Sequence, residues 1–418
     1  MKVYKFGGAS VKDPEGIRNL ARIAGEEKGD LVIVVSAFGK TTNALESLLR
    51  SWLEGDEGYS DQLENLYQYH SAVTGELFAG RDLTKDRLEN SFATLREYLL
   101  KPVRSSYDFE YDQIVSFGEL WSTMIVSGYL ASEGHDNEWI DIRTNLVTDD
   151  RYRDANILWN ESSHRIKAVM DFTRCRVFVT QGFIGGTVSG QSTTLGREGS
   201  DFTAAILANI LNADCVTVWK DVPGILNADP KWLDDATQIS EMSYREAVEM
   251  TFSGAKVIHP KTIKPLQNKN IPLYVRSFLE PANTGTVVVA EPELRRIIPV
   301  FIRKENQILL SLLPRDFSFV MGDNLSLVFQ LFKNHGIKVN LVEASAVSIN
   351  VCVDDERSRV EELLNDLRND FSAVYNTGVE LLSVRHYNDE ALLRITSGRE
   401  ILLEQRTRST ARFVVRVA

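Results

Sequence analysis

The chain has 418 residues, of which 43% are hydrophobic and 25% charged, an ordinary globular composition that is long enough for two or three domains. The formal net charge of −11 argues against a protein that binds nucleic-acid backbones, because such proteins need clustered Lys and Arg. Apolar runs such as Leu31–Val35 are far shorter than the ~20 residues of a membrane-spanning helix, so neither nucleic acid nor a membrane is an expected partner.

The first residues and the cysteines bear on the cellular compartment. Residues 1–6 alternate like a strand and lack the apolar core of an export signal, which predicts a cytoplasmic protein. Cys175, Cys215 and Cys352 are far apart and show no Cys-x-x-Cys spacing, so neither a disulfide framework nor a zinc site is indicated. We interpret all three as reduced thiols.

Residues 1 to about 290 alternate short β-branched runs with longer helical patterns, as in an α/β domain with a largely parallel sheet. Strands are predicted over residues 3–6, 31–36, 139–141, 177–181, 215–219 and 272–277. A helix is predicted over 14–24 behind a cap at Asp13, and another over 202–211. Residues 51–105 carry no strand signal and predict a helical insertion.

A run of turn formers at 280–286 predicts a domain boundary, after which the pattern changes to that of a smaller strand–helix–strand unit. Strands are predicted over 309–313, 338–342, 347–353, 379–387 and 412–417, and helices over 323–335, 356–367 and 390–397. This order is compatible with a ferredoxin-like split βαβ fold followed by a second, reduced copy.

The first predicted strand ends in a glycine pair. Gly7 and Gly8 allow backbone N–H groups to approach an anion, and Lys5 adds a point charge. The pattern is typical of a phosphate site, although a purely structural turn fits it equally well.

Hydroxyl-bearing residues lie at and just beyond the end of the second predicted strand. Ser36 is its last residue and Thr42 lies beyond it, at the carboxyl end where open sheets bind ligands. The sequence GKT at 39–41 is not the end of a P-loop, because Val34 stands where that motif requires glycine. In the alternative interpretation, Thr42 or Asn43 only caps a helix.

Charged residues flank the later predicted helices. Glu119 begins an apolar helical run, where it could bind a substrate ammonium or only favour the helix dipole. Arg197, Ser200 and Asp201 end a glycine-rich passage at a helix start, an arrangement that suits a carboxylate or phosphate. Asp201 would either cap that helix or hold basic residues that grip a phosphoryl group.

Two further loops add basic residues. Lys220 follows another strand end, and Lys256 follows Gly254 by two residues. His259, which precedes a proline, is interpreted as a packed or capping residue rather than a catalytic one.

These motifs together resemble the aspartate kinase family. The resemblance is carried, in family order, by KFGG at 5–8, SA at 36–37 with TN at 42–43, FGE at 117–119, LGR at 195–197 with GSD at 199–201, DVPG at 221–224 and GAKVIHP at 254–260. It covers nearly the whole chain, and the tail resembles the paired ACT regulatory domains of that family.

The resemblance implies a fold and a division into domains. The expected fold class is α/β, with an amino-acid-kinase-type, mostly parallel sheet between helices, followed by two ferredoxin-like ACT domains of which the second is shortened. The implied catalytic domain covers 1–288. The first ACT-like domain would cover 315–378, and the second 295–314 together with 379–418.

The resemblance also implies an activity, the ATP-dependent phosphorylation of the aspartate side-chain carboxylate, and assigns residues to it. Catalytic roles fall to Lys5 and Asp201. The residues implied to bind aspartate are Ser36, Thr42, Glu119, Arg197 and Ser200. Those implied to bind ATP are Lys5, Gly7, Gly8, Lys220, Asp221, Leu226, Lys231 and Lys256.

The implied cofactor is ATP with Mg²⁺. Aspartate needs no general base, because its carboxylate, with a reference pKa of ~3.9, is already ionised at neutral pH. Catalysis should therefore come from positioning and charge neutralisation, with magnesium bridging nucleotide oxygens. No dedicated protein cage for the metal is predicted, which fits the preference of Mg²⁺ for phosphates and retained water.

Some positions depart from the family pattern. Lys220 stands where Thr is frequent, Leu226 where an aromatic residue often flanks adenine, and Lys231 where Arg is frequent. An effector, lysine or threonine, is expected to bind the tail near Asn340 and Ser345. A homodimer through the ACT domains is also expected.

Two alternatives remain at this stage. Another amino-acid-kinase relative, acting on glutamate, N-acetylglutamate or a nucleotide, would share the phosphate loops but should lack the ACT-like tail. A non-catalytic amino-acid sensor would keep the tail but should have lost Lys5 or Asp201, and both residues are present.

Overall fold

The computed structural model describes residues 1–78, 84–103, 105–255, 258–293, 298–316, 319–320 and 322–417. The chain divides into two compact units. The first comprises Met1–Ile225, Gln238–Val248 and Val257–Leu294, and the second comprises Leu226–Thr237, Glu249–Lys256 and Arg295–Ala418.

The first unit is built on a mostly parallel sheet. Its strands are β1 (Lys2–Phe6), β2 (Leu31–Val35), β3 (Glu138–Ile140), β4 (Val147–Thr148), β5 (Val177–Gln181), β6 (Ile184–Thr187), β7 (Ser192–Thr194), β8 (Cys215–Lys220), β9 (Glu241–Ser243), β10 (Leu273–Ser277) and β11 (Thr286–Val289). Eight of them form the order β3-β5-β2-β1-β8-β10-β11-β9, in which only β10 and β11 pair antiparallel. The strands β4, β6 and β7 form a separate small sheet.

The central strands are apolar because both faces of the sheet are covered. All five residues of β2 are buried, as expected for an inner parallel strand.

The helices along the chain are α1 (Pro14–Glu26), α2 (Thr41–Glu54), α3 (Tyr59–Phe78), α4 (Lys85–Leu99), α5 (Tyr107–Ser132), α6 (Trp159–Val169), α7 (Gly199–Leu211), α8 (Tyr244–Ser253) and α9 (Pro260–Gln267).

The helix α5 is unusually apolar for its length. By length and composition it could cross a membrane, but 83% of its most apolar 18-residue stretch is buried inside the protein. This degree of burial is typical of the core helix of a globular protein.

All six strands predicted for this part are present, with ends that shift by one residue at most. The short strands β4, β6, β7, β9 and β11 were not predicted, because two to four residues carry too little periodicity to detect. The predicted cap at Asp13 is confirmed, since its Oδ1 accepts a hydrogen bond from Gly16 N at 2.9 Å. His259 likewise caps α9 by accepting from the backbone N–H of Lys261.

Three interpretations of helix starts are wrong. Glu119 does not begin a helix but lies in the middle of α5, so it does not serve the N-terminal end of the helix dipole. The helix α7 begins at Gly199 rather than at 202, so Asp201 lies in its first turn and the N-cap is Glu198. The helix α2 begins at Thr41 behind Lys40, so neither Thr42 nor Asn43 caps it.

The second unit contains one six-stranded antiparallel sheet. Its elements are β12 (Val300–Pro314), α10 (Asp323–Asn334), β13 (Val339–Ala344), β14 (Ile349–Asp354), α11 (Arg357–Leu367), β15 (Phe371–Arg385), α12 (Asp389–Thr396), β16 (Arg399–Arg406) and β17 (Thr410–Val417). The strand order is β13-β14-β12-β15-β17-β16. Two long central strands, β12 and β15, pair along most of their length and so link the two halves of the sheet.

The tail elements predicted from the sequence are all present. The central strands are longer than predicted, and β16 was missed because charged and apolar residues alternate irregularly along it. The predicted α/β class, with a mostly parallel first sheet and an antiparallel tail, is confirmed.

Candidate active site

The carboxyl ends of β2, β1 and β8 lie side by side and open into a cavity of about 540 Å³. Ligands of open α/β sheets bind at this edge. Eight of the residues predicted to form the site line this one cavity: Lys5, Ser36, Thr42, Glu119, Arg197, Ser200, Asp201 and Lys220.

A buried carboxylate lies between two lysines in the cavity. The Asp201 Oδ1 atom is 2.7 Å from Lys5 Nζ, and its Oδ2 atom is 3.8 Å from Lys220 Nζ. Burial alone would raise the pKa of the Asp201 carboxyl, but the two ammonium groups outweigh it and hold that pKa below its usual range. Asp201 is therefore ionised and fixes the position of Lys5.

Glu119 presents a buried carboxylate without a cation beside it. The residue is 2% exposed, and its Oε1 accepts only a long hydrogen bond, 3.4 Å, from Ala37 N. Within the described chain, its Oε2 has no hydrogen-bond partner. Burial raises the pKa of this carboxyl to about 8. A buried carboxyl group with a raised pKa is suited to binding a cationic ligand, because the cation would stabilise its ionised form.

The Glu119 carboxyl makes stability depend on pH in a direction that can be tested. Since burial raises its pKa from 4.5 to about 8, the folded protein binds a proton that the unfolded protein releases between these values. We expect the free energy of unfolding of the ligand-free wild type to fall, relative to Glu119→Gln, by up to about 1.4 kcal/mol per pH unit across this range. Urea denaturation of both proteins at pH 5.5, 7.0 and 8.5 measures this difference, and parallel pH profiles would contradict it.

Two serine hydroxyl groups on the cavity lining are joined by a hydrogen bond, and a nearby glycine allows one of these serines to pack closely. Ser36 Oγ donates to Ser200 Oγ at 3.0 Å, which joins the loop after β2 to the start of α7. A Cβ atom at Gly182 would lie 2.4 Å from Ser200 Cβ, so only glycine permits this approach.

Gly7 and Gly8 lie at the end of β1 beside the cavity rather than on its lining. A Cβ at Gly8 would come within 2.2 Å of Ala37 O, and Gly39 N donates to Gly8 O at 2.9 Å. Packing between the first two loops therefore already requires glycine at position 8, as the purely structural interpretation expects. The phosphate-binding role of both glycines stays a prediction.

Several cavity residues were missed by the sequence analysis: Tyr111, Arg153, Phe183, Thr194, Gly196, Glu198 and Gly199. Seven described non-glycine residues have a positive φ, and three of them, Arg153, Phe183 and Glu198, line this cavity. Backbone strain of this kind concentrates at functional sites. Five of the seven lie in the glycine-rich stretches 181–186 and 193–201 that the sequence singles out before α7, although none of the five was assigned to the site, and Tyr111 and Arg153 carried no such signal.

Three further predicted nucleotide residues, Asp221, Leu226 and Lys231, are not on the cavity lining. Asp221 lies just beyond β8 and is exposed, and Leu226 and Lys231 belong to the second unit. Lys256 lies outside the described residues. Their contacts with ATP stay predictions.

The predicted effector residues lie in the second unit. Asn340 is buried there, and its side chain accepts from Lys304 Nζ at 2.7 Å and donates to Gln307 Oε1 and Asp354 Oδ1, both at 2.8 Å. Ser345 is exposed and shares a hydrogen bond with the Ser348 hydroxyl. The Asn340 amide already has protein partners, so a ligand would have to displace one of them. Effector binding at both residues stays a prediction.

Comparison with known proteins gives concordant results. The profile of the amino acid kinase family matches residues 1–277. The lysine-sensitive aspartokinase 3 of Escherichia coli is 31% identical over 360 residues, which cover 84% of this chain and 78% of that enzyme. A bifunctional aspartokinase/homoserine dehydrogenase 2 of Arabidopsis thaliana is 30% identical over 390 residues, which are 90% of this chain but 42% of the relative. The chain thus spans less than half of the bifunctional relatives that it matches.

Two crystal structures of E. coli aspartokinase III resemble the chain over almost its whole length. One, in complex with lysine and aspartate, gives a TM-score of 0.82, and the other, in complex with aspartate and ADP, gives 0.81. Each is 28% identical and covers 99% of this chain and 96% of the solved one.

Proposed function

The chain belongs to the amino acid kinase family and, within it, to the aspartokinases, and from this premise we propose that it transfers the γ-phosphoryl group of ATP to the side-chain carboxylate of L-aspartate. The observation that carries the proposal is the buried Glu119 carboxyl group, whose Oε2 has no hydrogen-bond partner in the described chain and which shares one cavity with the Lys5–Asp201 ion pair. A cavity with this pair of features suits an acceptor that has an ammonium group at one end and a reacting anion at the other.

The reaction brings together two anions, the acceptor carboxylate and the γ-phosphoryl group of ATP, and charged residues of the cavity offset their repulsion. Lys5, fixed by Asp201, offsets the charge of the transferred phosphoryl group, while Lys220 lies on the other side of the same carboxylate. Glu119 binds the ammonium of aspartate, and the Arg197 guanidinium binds its α-carboxylate. With both ends held, the side-chain carboxylate attacks without a general base.

Magnesium enters with the nucleotide in this proposal. Among the described residues, no group of three or more His, Cys, Asp or Glu side chains could hold a metal ion. This fits a Mg²⁺ ion that is bound chiefly through phosphate oxygens and water. When bound, the ion neutralises charge on the nucleotide.

The cellular setting follows from the same proposal. The product, 4-phospho-L-aspartate, would feed the synthesis of lysine, threonine and methionine in the cytoplasm. An amino-acid effector, lysine or threonine, would bind the second unit, in line with the E. coli aspartokinase III structure that contains lysine. We expect a homodimer formed through this unit.

A panel of acceptors tests the proposal. ADP release from ATP should depend on L-aspartate. The kcat/KM for L-glutamate, N-acetylglutamate and N-acetylaspartate should be at least about tenfold lower than that for L-aspartate. The two glutamate compounds misplace the reacting carboxylate, and acetylation removes the ammonium group. Preference for N-acetylglutamate would favour another amino acid kinase. Binding of aspartate without any ADP release would favour a non-catalytic sensor.

A further inference from the structure

One cavity residue keeps a conformation that its residue type disfavours. Arg153 has φ = 67°, in the left-handed region where a Cβ normally clashes with the backbone. The described non-glycine residues that share this region away from the cavity are Asn212, Asn270, Asn306 and His386. Asn and His are among the residue types that tolerate it best, and arginine is not. The arginine therefore calls for an explanation other than local backbone preference.

A buried carboxylate holds the backbone of Arg153 in place. Asp112 is fully buried, and its Oδ2 accepts hydrogen bonds from Arg153 N at 3.0 Å and from Thr194 N at 2.8 Å. Its Oδ1 accepts from the Thr194 hydroxyl at 2.7 Å. Because Arg153 and Thr194 both line the cavity, Asp112 fixes two parts of the wall at once.

The guanidinium of Arg153 is oriented by an aromatic ring and has only a weak, exposed ion pair. Its Cζ lies 4.4 Å from the ring centroid of Tyr111, which also lines the cavity, in cation–π geometry. Its ion pair with Asp108, at 3.5 Å, is 43% and 57% exposed at its two side chains and is therefore weakened by water. The cation can exchange this partner for a ligand at small cost.

Arg153 and Arg197 come from adjoining loops. A Cβ at Gly196 would lie 3.2 Å from Arg153 O, so the two backbones meet one residue before Arg197. Ala155 N also donates to Thr194 O at 3.0 Å, which fastens the same two segments together. The cavity wall thus presents two guanidinium groups from neighbouring loops.

We propose that Arg153 is a specificity-determining residue that binds, together with Arg197, the acceptor carboxylate that is not phosphorylated. This inference rests on the proposed function and deepens it, because it assigns a second cation to the α-carboxylate of aspartate. Two planar donors can saturate the oxygens of one carboxylate, and this arrangement rejects acceptors in which that group is missing or amidated.

Steady-state kinetics with aspartate and with its α-amide, L-isoasparagine, tests the assignment on the full chain. In Arg153→Gln, we expect KM for aspartate to rise about tenfold while KM for ATP stays within about twofold of the wild type. With isoasparagine, whose α-group is already uncharged, the same substitution should change KM by less than about threefold.

Two further variants separate binding from folding. Arg153→Gly removes the guanidinium but adopts the left-handed φ without steric cost, so it should keep a melting temperature close to that of the wild type and still show the raised KM. The neighbouring Arg151, exposed and absent from the cavity lining, provides a matched control, and Arg151→Gln should leave KM for aspartate unchanged.

The possible failures are distinguishable. A wild-type protein that does not phosphorylate aspartate overturns the proposed function and this inference with it. An active wild type in which Arg153→Gln leaves KM for aspartate unchanged, raises KM for ATP instead, or affects isoasparagine equally overturns the inference alone.

Discussion

Replacing Lys5 by alanine is expected to lower kcat by more than about a hundredfold, the scale of losing one preorganised charge stabiliser at the reacting group. The ammonium of Lys5 is buried, 2.7 Å from Asp201, and borders the cavity at the end of β1. Its loss removes charge where the phosphoryl group passes and leaves Asp201 with Lys220 at 3.8 Å. Rapid-quench or coupled-enzyme kinetics with saturating ATP and aspartate measures the effect.

A neighbour on the same strand provides the control for Lys5. Lys2 pairs with Glu27 at 2.7 Å, is 41% exposed at its side chain and is absent from the cavity lining. Lys2→Ala should therefore keep kcat within about twofold, as is usual for surface substitutions. A folded Lys5→Ala protein, judged by its circular dichroism and melting temperature, with kcat near that of the wild type would contradict the catalytic role.

Replacing Glu119 by glutamine is expected to raise KM for aspartate by about a hundredfold, because a charge-assisted contact to the ammonium in a buried site becomes a neutral one. The same substitution should not impair folding, since it removes the desolvation penalty of a buried carboxyl whose pKa is raised to about 8. Loss of affinity with gain of stability is the mark of a residue kept for binding.

Succinate, which lacks the ammonium group, isolates the Glu119 contact. The wild type should prefer aspartate over succinate strongly in kcat/KM, and Glu119→Gln should lose most of that preference. Glu133, exposed at the end of the same helix α5, offers the control, and Glu133→Gln should keep the preference. An unchanged preference in Glu119→Gln would show that the ammonium binds elsewhere.

Much of the fold could be predicted from local sequence. Parallel strands buried on both faces are continuous β-branched runs, as in Leu31–Val35, and their carboxyl ends carry the glycines, hydroxyls and lysines that marked the site. Lys5 and Asp201 were found because each lies in a local motif at a strand or helix end, whereas Glu119 lies in the middle of α5 and was found through the FGE motif at 117–119. The motifs placed eight predicted side chains that in fact line one cavity.

The rest depends on contacts between distant parts of the chain. Nothing near Asp201 in the sequence indicates that it pairs with Lys5 instead of capping α7, because the pairing follows from the order of strands in the sheet. Arg153 carries no glycine or asparagine signal for its left-handed backbone, whose N–H is held by Asp112 from the distant helix α5. The partners of Asn340 likewise come from distant positions, Lys304 and Gln307 on β12 and Asp354 on β14.

The most direct test of the central claim is to trap the product. The full chain is incubated with ATP, Mg²⁺, L-aspartate and hydroxylamine, and the hydroxamate is identified by mass spectrometry against the α- and β-hydroxamates of aspartate. The account predicts the β-hydroxamate in amounts equal to the ADP released, and none with Lys5→Ala on the same time scale. ADP release without any hydroxamate, or formation of the α-hydroxamate, would contradict phosphoryl transfer to the side-chain carboxylate.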